Sequence, residues 1–419
     1  MLRYQHHRIK IAMVTSGGFT RKFKSWPELA LARELVKYDI DIMAFTSKYV
    51  VDAFGEKVTD IIDGIPVYRF WGKRKYILDI LSFMKKLISY NPDIIHIHFP
   101  TYLNELADKA YITTKLLRRP YIITVHGLLH DPYIVENLDD PFEGKINFDK
   151  AIKSIFELLK GFKFVYTDSR QNYLSHIEII NADKVIALSE FERELLLKLG
   201  VSNNKIKIIP NGIDYEYYTK NKIPKEIAKK KLLIEPNTRV ILYFGALVKR
   251  KGIHYLIESI PYVLKEHKNV IFYFAGHIQE ERDYLIRRAK ELNIMDKIRI
   301  EGPVSEEQKF ILFSSADMFV FPTLYEGFGI PIIEAMAFGL PIVSTNIPVI
   351  NEIVTKDVGL LVKPKDPIAL ADAINRLLSE DESNLRDMGM KAQLIVKNKY
   401  IWKNIAKEYI NVYHEILAK

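Results

Sequence analysis

Short apolar runs alternate along the chain with longer amphipathic segments. In the first half, the apolar runs have the length of strands, and the segments between them have the 3.6-residue periodicity of helices. We predict strands at residues 9–14, 41–45, 93–98, 121–125, 184–188 and 205–209, and helices at 27–37, 77–89 and 191–199. This alternation is typical of repeated βαβ units, which build parallel sheets covered by helices.

The same alternation restarts after a charged segment that ends near residue 231. It predicts strands at residues 240–244, 270–275, 297–300, 318–321, 341–344 and 359–362. The pattern favours an α/β protein of two doubly wound, Rossmann-like domains that face a central cleft. We assign residues 1–214 to the first domain and 215–399 to the second, and expect the last helix, about 400–419, to pack back on the first. Ligands of such sheets bind beyond the carboxyl ends of the strands.

Length and composition agree with two packed domains and narrow the chemistry. The 419 residues exceed the roughly 250–300 at which a single core stops growing, and 48% of them are hydrophobic. No cysteine occurs, which excludes disulfides, thiolate metal sites and a cysteine nucleophile. The net charge of +9 favours an anionic partner, but it leaves nucleic acid, a membrane surface and a phosphorylated small molecule open.

Two loops that follow predicted strands have the composition of phosphate-binding loops. Gly17 and Gly18 follow the first strand, where they let backbone N–H groups approach a phosphate, although a tight turn explains the pair equally well. In the second domain, Lys249, Arg250 and Lys251 lie in a strand-to-helix loop, where they could clamp a diphosphate or be solvated. Neither loop has GxGxxG or P-loop spacing, so neither a dinucleotide cofactor nor Walker-type ATP hydrolysis is supported.

Residues 321–337 form the most informative segment of the chain. A predicted strand ends at Phe321, a loop carries Glu326, and Pro331 begins a helix that carries Glu334, with seven residues between the two carboxylates. Carboxylates accept hydrogen bonds from neutral hydroxyls, so the pair suits a sugar and a ribose, while free N–H groups of the loop suit phosphate. The structural alternative is that Glu334 caps its helix and that Glu326 is solvated.

This segment resembles the E-x7-E motif of retaining glycosyltransferases with the two-domain GT-B fold, specifically glycosyltransferase family four, the group 1 transferases. Other pieces of the chain fall in that family's order. They are Gly17-Gly18 and residues 92–98, 124–127, 209–214 and 341–343. Each piece alone is a weak signal, whereas the whole series in sequence is specific.

The resemblance implies roles for the two carboxylates and for the backbone that follows the first. In the family, the first Glu contacts hydroxyls of the donor sugar and the second binds the ribose, so Glu326 and Glu334 take these roles here. Backbone groups of the same segment support the sugar and the diphosphate. In this chain they belong to Gly327, Phe328, Gly329 and Ile330.

The resemblance also implies roles for cations, a histidine and the first glycine loop. Lys251 matches a diphosphate-binding Lys, whereas Ala246 occupies the usual Arg position, and Arg250 is our candidate substitute. The Gly17-Gly18 loop offers amides to the donor. His126 matches the residue that orients the donor sugar or contacts the diphosphate, and a core histidine bonded to backbone is its structural alternative.

The histidines of the first domain raise the question of a metal. His96 and His98 share one strand face, and with His126 and His130 they could form a site, but we favour histidines satisfied by neighbours because the family needs no metal. Residues 39–41 formally match the D-x-D metal motif of another glycosyltransferase fold, and we interpret them as a solvated turn. We therefore expect no metal and no cofactor, with the nucleoside diphosphate sugar as co-substrate.

The expected function is transfer of a hexosyl group from a nucleoside diphosphate sugar to a hydroxyl of a glycan or lipid-linked acceptor, with retention at the anomeric carbon. No covalent nucleophile is evident, so the family's front-face mechanism is implied, with Glu326, Lys251 and His126 as catalytic residues. Three alternatives stay open: a soluble trehalose- or glycogen-type synthase, a nucleotide-sugar epimerase, and a nonenzymatic nucleic-acid-binding protein. The last lacks any nucleic-acid-binding signature in this sequence.

The sequence also bears on location. No apolar stretch approaches the roughly 20 residues of a spanning helix, and residues 9–14 are too short for a signal-peptide core, so we expect a cytoplasmic protein. Residues 69–88 combine cations, Trp71 and an apolar helix face, which is typical of segments that lie on a membrane surface. A sheet-packing helix with a basic end is the commoner case. We nevertheless hypothesise peripheral contact with an anionic membrane at its inner face.

Overall fold

The computed structural model describes residues 8–21, 26–48, 51, 55–71, 77–99, 106–130, 139–142 and 174–418. The chain divides into two compact units. Unit 1 consists of residues 1–212 with 402–419, and unit 2 of residues 213–401. Each unit is built on its own predominantly parallel sheet with helices, so the predicted fold class is confirmed.

The described strands are β1 (Ile9–Val14), β2 (Ile40–Ser47), β3 (Thr59–Ile62), β4 (Ile65–Phe70), β5 (Ile94–Phe99), β6 (Tyr121–Val125), β7 (Lys184–Ala187), β8 (Ile206–Ile208), β9 (Arg239–Phe244), β10 (Val270–Ala275), β11 (Ile298–Glu301), β12 (Met318–Phe321), β13 (Ile342–Thr345) and β14 (Gly359–Val362). The twelve strands predicted from the sequence all occur, with ends displaced by at most two residues.

The described helices are α1 (Pro27–Leu35), α2 (Ile77–Tyr90), α3 (Ala107–Leu117), α4 (Leu174–Asn181), α5 (Glu190–Lys198), α6 (Tyr215–Lys220), α7 (Lys225–Lys231), α8 (Ile253–Glu266), α9 (Arg282–Glu291), α10 (Glu306–Ser315), α11 (Ile330–Ala337), α12 (Pro348–Ile353), α13 (Pro367–Leu378), α14 (Glu382–Lys399) and α15 (Trp402–Leu417). Searched over the described part of the chain, no helix is long and apolar enough to cross a membrane.

Unit 1 contains an eight-stranded sheet in the order β3-β4-β2-β1-β5-β6-β7-β8. Its neighbouring strands are parallel except for β3 and β4, which are antiparallel. The sequence prediction misses this hairpin. Its two turn residues, Asp63 and Gly64, both have positive φ, at 51° and 82°, which is the usual geometry of a two-residue hairpin turn.

The last helix, α15, belongs to the core of unit 1. One face of it carries Trp402, Ile405, Tyr409 and Tyr413, which are buried together with residues of β1, β2 and α1. Removal of such side chains from water stabilises a fold by roughly 1.5–3 kcal/mol each. The chain therefore leaves unit 1 for unit 2 and returns to it at residue 402.

Unit 2 contains a six-stranded parallel sheet in the order β11-β10-β9-β12-β13-β14. The four strands β10, β9, β12 and β13 are largely apolar, as expected of parallel strands that helices cover on both faces, whereas the edge strand β11 carries Arg299 and Glu301. β9 and β12 are neighbours, so the loops beyond their carboxyl ends lie side by side. These are the loops that carry the sequence candidates at residues 245–252 and 322–329.

Candidate functional site

The two loops of unit 2 are joined by a backbone hydrogen bond, a side-chain hydrogen bond and a close backbone approach. Leu324 N donates to Arg250 O at 2.9 Å, and the Arg250 guanidinium donates to Tyr325 O at 2.9 Å. Gly252 has a φ of 67°, and a Cβ there would lie 1.8 Å from the carbonyl oxygen of Pro322. Only glycine fits this backbone approach, so the contact between the loops is built into the sequence.

Glu326 is buried in this junction and forms an ion pair with Lys251. The Lys251 ammonium and the Thr323 hydroxyl both donate to Glu326 Oε1, the latter at 2.8 Å. The Lys251 ammonium also lies 5.3 Å from the centroid of the Phe321 ring. The alternative of a solvated Glu326 is therefore wrong, and so is a fully solvated cation triplet, since Lys251 is buried while Lys249 is exposed.

Glu334 lies in α11 and is also buried. Lys309, from α10, donates to Glu334 Oε1 at 2.9 Å, and the hydroxyl of Tyr218, from α6, donates to the same oxygen. Lys309 also donates to the Tyr218 hydroxyl at 2.8 Å. The alternative that Glu334 only caps its helix does not describe this arrangement, because three helices converge on the carboxylate.

The two carboxylates share one pattern of contacts. Each is buried, each pairs with a buried lysine, and each accepts from one neighbouring hydroxyl. In both residues these donors engage Oε1. A carboxylate has two oxygens and about four acceptor sites, so Oε2 of Glu326 and Oε2 of Glu334 can accept from a bound hydroxyl.

The lysines of the two pairs have different electrostatic environments. Burial lowers the pKa of Lys251 to about 8, although Glu326 acts in the opposite direction. Burial would also lower the pKa of Lys309, but the charge of Glu334, with Tyr218 and Glu306, outweighs it and holds that pKa well above its usual value. Lys309 is therefore firmly charged, whereas Lys251 titrates close to physiological pH.

The remaining candidates of unit 2 lie along the same loops. Ala246 presents no cation, and its carbonyl accepts from the Tyr243 hydroxyl at 2.7 Å. Arg250 is half-buried and close to the Glu326 loop through its bond to Tyr325, which keeps it a candidate for an anion. Gly329, at a φ of 100°, precedes the first turn of α11. In that turn Pro331 has no N–H and Ile332 N donates to Gly329 O at 2.9 Å, so the donor left for an anion is the N–H of Ile330.

In unit 1, Gly17 and Gly18 form a turn beyond the carboxyl end of β1. Gly18 has a φ of 64°, and a Cβ there would lie 2.9 Å from the side chain of Glu28. A Cβ on Gly17 would lie 3.0 Å from Trp26. Thr46 donates to Gly17 O at 2.8 Å. Close packing and the positive φ thus favour glycine at position 18 whatever ligand the turn binds, whereas a Cβ at position 17 would need only a small shift of the Trp26 ring.

His126 follows β6 and contacts His98. The two ring nitrogens, His98 Nδ1 and His126 Nε2, are 3.1 Å apart, and the rings stack at 5.4 Å between centroids. Burial lowers the pKa of both histidines, so both imidazoles are neutral near pH 7. Glu28 completes this cluster, and one ligand atom from each of the three lies within 4.8 Å of the others. These residues are of the kind that bind a zinc-type ion.

His96 has a structural environment that differs from that of His98. His96 Nδ1 lies 2.9 Å from the Tyr413 hydroxyl and Nε2 lies 2.8 Å from the Thr124 hydroxyl. Burial lowers its pKa to about 3. His96 is therefore satisfied by neighbours, as expected. The side chain of His130 lies outside the described residues, as do residues 72–76 of the basic segment.

Of residues 39–41, Asp39 lies in the expected turn, whereas Ile40 and Asp41 are the first two residues of β2. Asp39 has a φ of 63° and forms an exposed ion pair with Arg8. An exposed pair of this kind contributes about 0–1 kcal/mol. These properties are those of a solvated turn.

Sequence reasoning missed four residues that contact the candidates. Thr323 lies three residues before Glu326 in one loop, and Glu28 lies in the first turn of the helix after the glycine pair, so local signals existed for both. Tyr218 and Lys309 are distant from Glu334 in sequence, and nothing local marks them. A lysine in an amphipathic helix is usually solvated, and only the packing of α6, α10 and α11 buries this one.

Known protein families match both halves of the chain. A family model for glycosyl transferases group 1 matches residues 224–394, and one for glycosyltransferase family 4 matches residues 29–217. An uncharacterized glycosyltransferase of Methanocaldococcus jannaschii is 31% identical over 59% of this chain and 65% of its own length. The Staphylococcus aureus capsular polysaccharide biosynthesis glycosyltransferase CapM is 30% identical over 63% of this chain and 68% of CapM.

A solved structure has the same fold. The Anabaena protein Alr3699/HepE, determined in complex with UDP and glucose, superposes with a TM-score of 0.71 at 20% identity, over 96% of this chain and 99% of that one. The fold is of the GT-B type, and both family models that match the chain are models of glycosyltransferases. The chain belongs to glycosyltransferase family four, the group 1 glycosyltransferases.

Proposed function

We propose that this protein is a retaining glycosyltransferase that moves a hexosyl group from a nucleoside diphosphate sugar to an acceptor hydroxyl without a metal ion. One observation carries the proposal: Glu326 and Glu334 are buried carboxylates at two ends of one strand-to-helix segment, each with Oε1 engaged by a lysine and a hydroxyl. The second oxygens fit hydroxyls of the donor sugar and of the ribose, respectively.

The diphosphate is assigned to the cations and amides of the same loops. Lys251 neutralises Glu326 in the free protein, and a bound diphosphate would compete for this ammonium. Arg250 supplies the second cation, because Ala246 occupies the position at which the family usually has an Arg. Free N–H groups between Gly327 and Ile330 add fixed positive partial charges at the start of α11.

The proposed chemical step needs no covalent intermediate. The acceptor hydroxyl oxygen forms the new bond to the anomeric carbon while the bond from that carbon to the diphosphate oxygen breaks with its electron pair. The acceptor proton passes to the departing diphosphate on the same face of the sugar. Lys251 and Arg250 stabilise the charge that develops on the leaving group, which is where preorganised donors contribute most to rate.

His126, Gly17 and Gly18 complete the proposed assignment from unit 1. A neutral His126 imidazole can accept or donate one hydrogen bond, and its pKa is lowered by burial, which suits contact with a sugar hydroxyl. The amides of the glycine turn are assigned to the donor. The acceptor is proposed to be a glycan, in line with a relative that acts in capsular polysaccharide biosynthesis.

A panel of nucleoside diphosphate sugars, scored for thermal stabilisation and for sugar transfer or hydrolysis, would test this function. At least one donor should raise the melting temperature, and its transferred sugar should keep the anomeric configuration by NMR. Inversion would contradict the mechanism. Stabilisation by an oligonucleotide and by no nucleotide sugar would overturn the enzyme assignment.

Variants of Glu326 test the site itself. Glu326→Ala should lower turnover by roughly 100- to 1000-fold while the fold survives, as expected for loss of a contact that strengthens in the transition state. Glu307→Ala is the matched control, because Glu307 is an exposed glutamate of the same unit. Equal activity of the two variants would rule out the proposed role of Glu326.

A separate surface supports the proposed membrane contact. α2 and α3 contact each other and expose large aliphatic side chains, with Leu78 79% and Leu116 64% exposed. Exposed cations, including Lys85 and Lys115, lie on the same helices. Apolar side chains among cations are typical of surfaces that rest on anionic lipid. The exposed aliphatic residues are Leu78, Leu81, Ile88, Ile112 and Leu116.

Vesicle sedimentation at low salt tests this contact. The protein should sediment with anionic vesicles and much less with neutral ones, and the double variant Leu78→Ser, Leu81→Ser should reduce sedimentation. Leu394→Ser is the control, since Leu394 is an exposed leucine of unit 2. Equal recovery of all three proteins in the supernatant would remove the membrane proposal and leave the transferase proposal intact.

A further inference from the structure

The Lys309 side chain has an unusual position for a lysine. It is almost fully buried, with its ammonium 2.9 Å from Glu334 Oε1, 2.8 Å from the Tyr218 hydroxyl and 3.5 Å from Glu306 Oε1. The Tyr218 hydroxyl itself donates to Glu334 Oε1. Lys309, Tyr218 and Glu334 thus form a closed triangle that links α10, α6 and α11. We call these three residues the buried triad.

Protonation of the triad is fixed by its surroundings. The charge of Glu334 outweighs burial and keeps the pKa of Lys309 well above its usual range, while burial and Glu334 raise the pKa of Tyr218 well above its own. Both groups are therefore donors at physiological pH. Because both donate to Oε1, they hold one oxygen of Glu334 and resist rotation of the carboxylate about its last side-chain bond.

An interior ion pair of this kind is a costly way to stabilise a fold, since a well-packed apolar set of the same volume often does as well or better. The aromatic residues around Lys309, among them Phe310 and Phe244, already form such an apolar environment. Stability alone therefore does not explain why a lysine occupies this position. Fixing the orientation of a carboxylate that binds a ligand is a reason that matches the geometry.

We propose that Lys309 and Tyr218 are positioning residues that fix the free oxygen of Glu334 for the hydroxyls of the nucleotide ribose, so that the buried triad selects ribonucleotides over deoxyribonucleotides. This inference rests on the proposed function. Two vicinal hydroxyls of a ribose can donate to one ionised carboxylate, and a site built for them rejects an analogue that lacks one. Neither residue needs to touch the ligand.

Binding of paired nucleotides tests the triad. UDP, GDP and ADP are each compared with their 2′-deoxy and 3′-deoxy counterparts by calorimetry, with the full-length protein. The wild-type protein should prefer the ribonucleotide roughly 10- to 100-fold, the range expected for a hydrogen bond to a charged group. Lys309→Met should lose most of this preference by weakening ribonucleotide binding, with deoxynucleotide binding unchanged within about twofold.

Two further variants keep the result interpretable. Lys229→Met removes another buried lysine of unit 2, one that pairs with Asp317 instead of Glu334, and it should keep the full ribose preference. Tyr218→Phe removes one hydroxyl with little change of volume, and it should lower the preference by roughly threefold to tenfold even if Lys309→Met fails to fold. Lys309→Arg restores the charge and should recover part of the preference.

The outcomes separate this inference from the proposed function. If the wild-type protein binds a nucleoside diphosphate and folded Lys309→Met or Tyr218→Phe keeps the full ribose preference, the positioning role is wrong and the transferase proposal stands. If the wild-type protein binds ribo- and deoxyribonucleotides equally, the role is wrong as well. If it binds no nucleoside diphosphate at all, the proposed function fails and the inference fails with it.

Discussion

Lys251 donates to Glu326 across the contact between two strand-to-helix loops, and both side chains are buried. This pair joins the cation assigned to the leaving diphosphate with the carboxylate assigned to the donor sugar. Burial, with a further contribution from the charge of Arg250, lowers the pKa of Lys251 to about 8, although Glu326 opposes the shift. The charge that the proposed mechanism needs is therefore sensitive to pH.

We predict that kcat/KM falls as the pH rises through about 8, because Lys251 is protonated below that pKa and loses its charge above it. Lys251→Arg should remove this decline, since a guanidinium stays charged throughout the range. Lys251→Ala should lower turnover roughly 100-fold at pH 7 through lost stabilisation of the leaving group. The measurement is a pH profile of initial rates, and an identical alkaline decline in Lys251→Arg would assign the titration to another group.

Asp317 anchors a second buried network, at the amino end of β12. Its carboxylate lies 3.0 Å from Lys225, 3.3 Å from Arg239 and 3.5 Å from Lys229, and it accepts from Val240 N at 2.8 Å. We predict that Asp317→Asn lowers the free energy of unfolding by about 3–5 kcal/mol at pH 7, because it leaves buried Lys229 without its anion. Urea unfolding measures this change.

The same substitution should matter less in acid. Burial alone would raise the pKa of Asp317, but Lys225, the Val240 N–H and Lys229 outweigh it and hold the pKa below its usual value of 3.8. The stabilisation is therefore present above pH 3.8 and is lost as the pH falls through the folded-state pKa. Asp296→Asn, at an exposed position, is the control and should have little effect at any pH. A difference between Asp317→Asn and wild type that is constant from pH 7 to pH 3 would contradict this account.

Among the glycines of the two loops at residues 245–252 and 322–329, Gly252 should tolerate replacement least. Gly252→Ala places a Cβ 1.8 Å from the Pro322 carbonyl oxygen at a φ of 67°, whereas Gly64→Ala has a similar φ of 82° and nothing within 4 Å. Gly64→Ala should cost about 1–2 kcal/mol, the conformational term alone. Gly252→Ala should cost about 1–3 kcal/mol more through overlap, and donor affinity should fall as the loops separate. Calorimetric melting of both variants measures these losses of stability, and equal losses would show that the overlap at Gly252 is relieved.

Metal independence gives a further prediction. Dialysis against EDTA should leave turnover unchanged, since the proposed chemistry uses Lys251, Arg250 and amides to neutralise the diphosphate. The cluster of Glu28, His98 and His126 could nevertheless bind added Zn²⁺, and in that case we expect inhibition, because the metal would occupy the imidazole that is assigned to the donor. Activity that EDTA abolishes and Mg²⁺ or Mn²⁺ restores would contradict a metal-free mechanism.

Local sequence patterns predicted the elements on which the candidate site is built. β9 and β12 are apolar runs between turn signals, and Pro331 marks the first turn of α11, so the positions of Lys251, Glu326 and Glu334 relative to strand and helix ends could be read from the chain. The hairpin of β3 and β4 was missed although Asp63-Gly64 is a turn signal.

The sequence by itself determined the α/β class, the family and the residue types that the chemistry requires, because periodicity and motif spacing are properties of short segments. Tertiary structure alone decided which of these residues are buried and paired. Nothing in the local sequence distinguishes Lys309 from a solvated helical lysine, and it is the packing of α6, α10 and α11 that buries it beside Glu334. The pKa of Lys251 is lowered by burial at the place where Gly252 and Pro322 bring two loops together. Burial and charge pairing depend on contacts between residues far apart in the chain, and these contacts give Glu326 and Glu334 their oriented carboxylates.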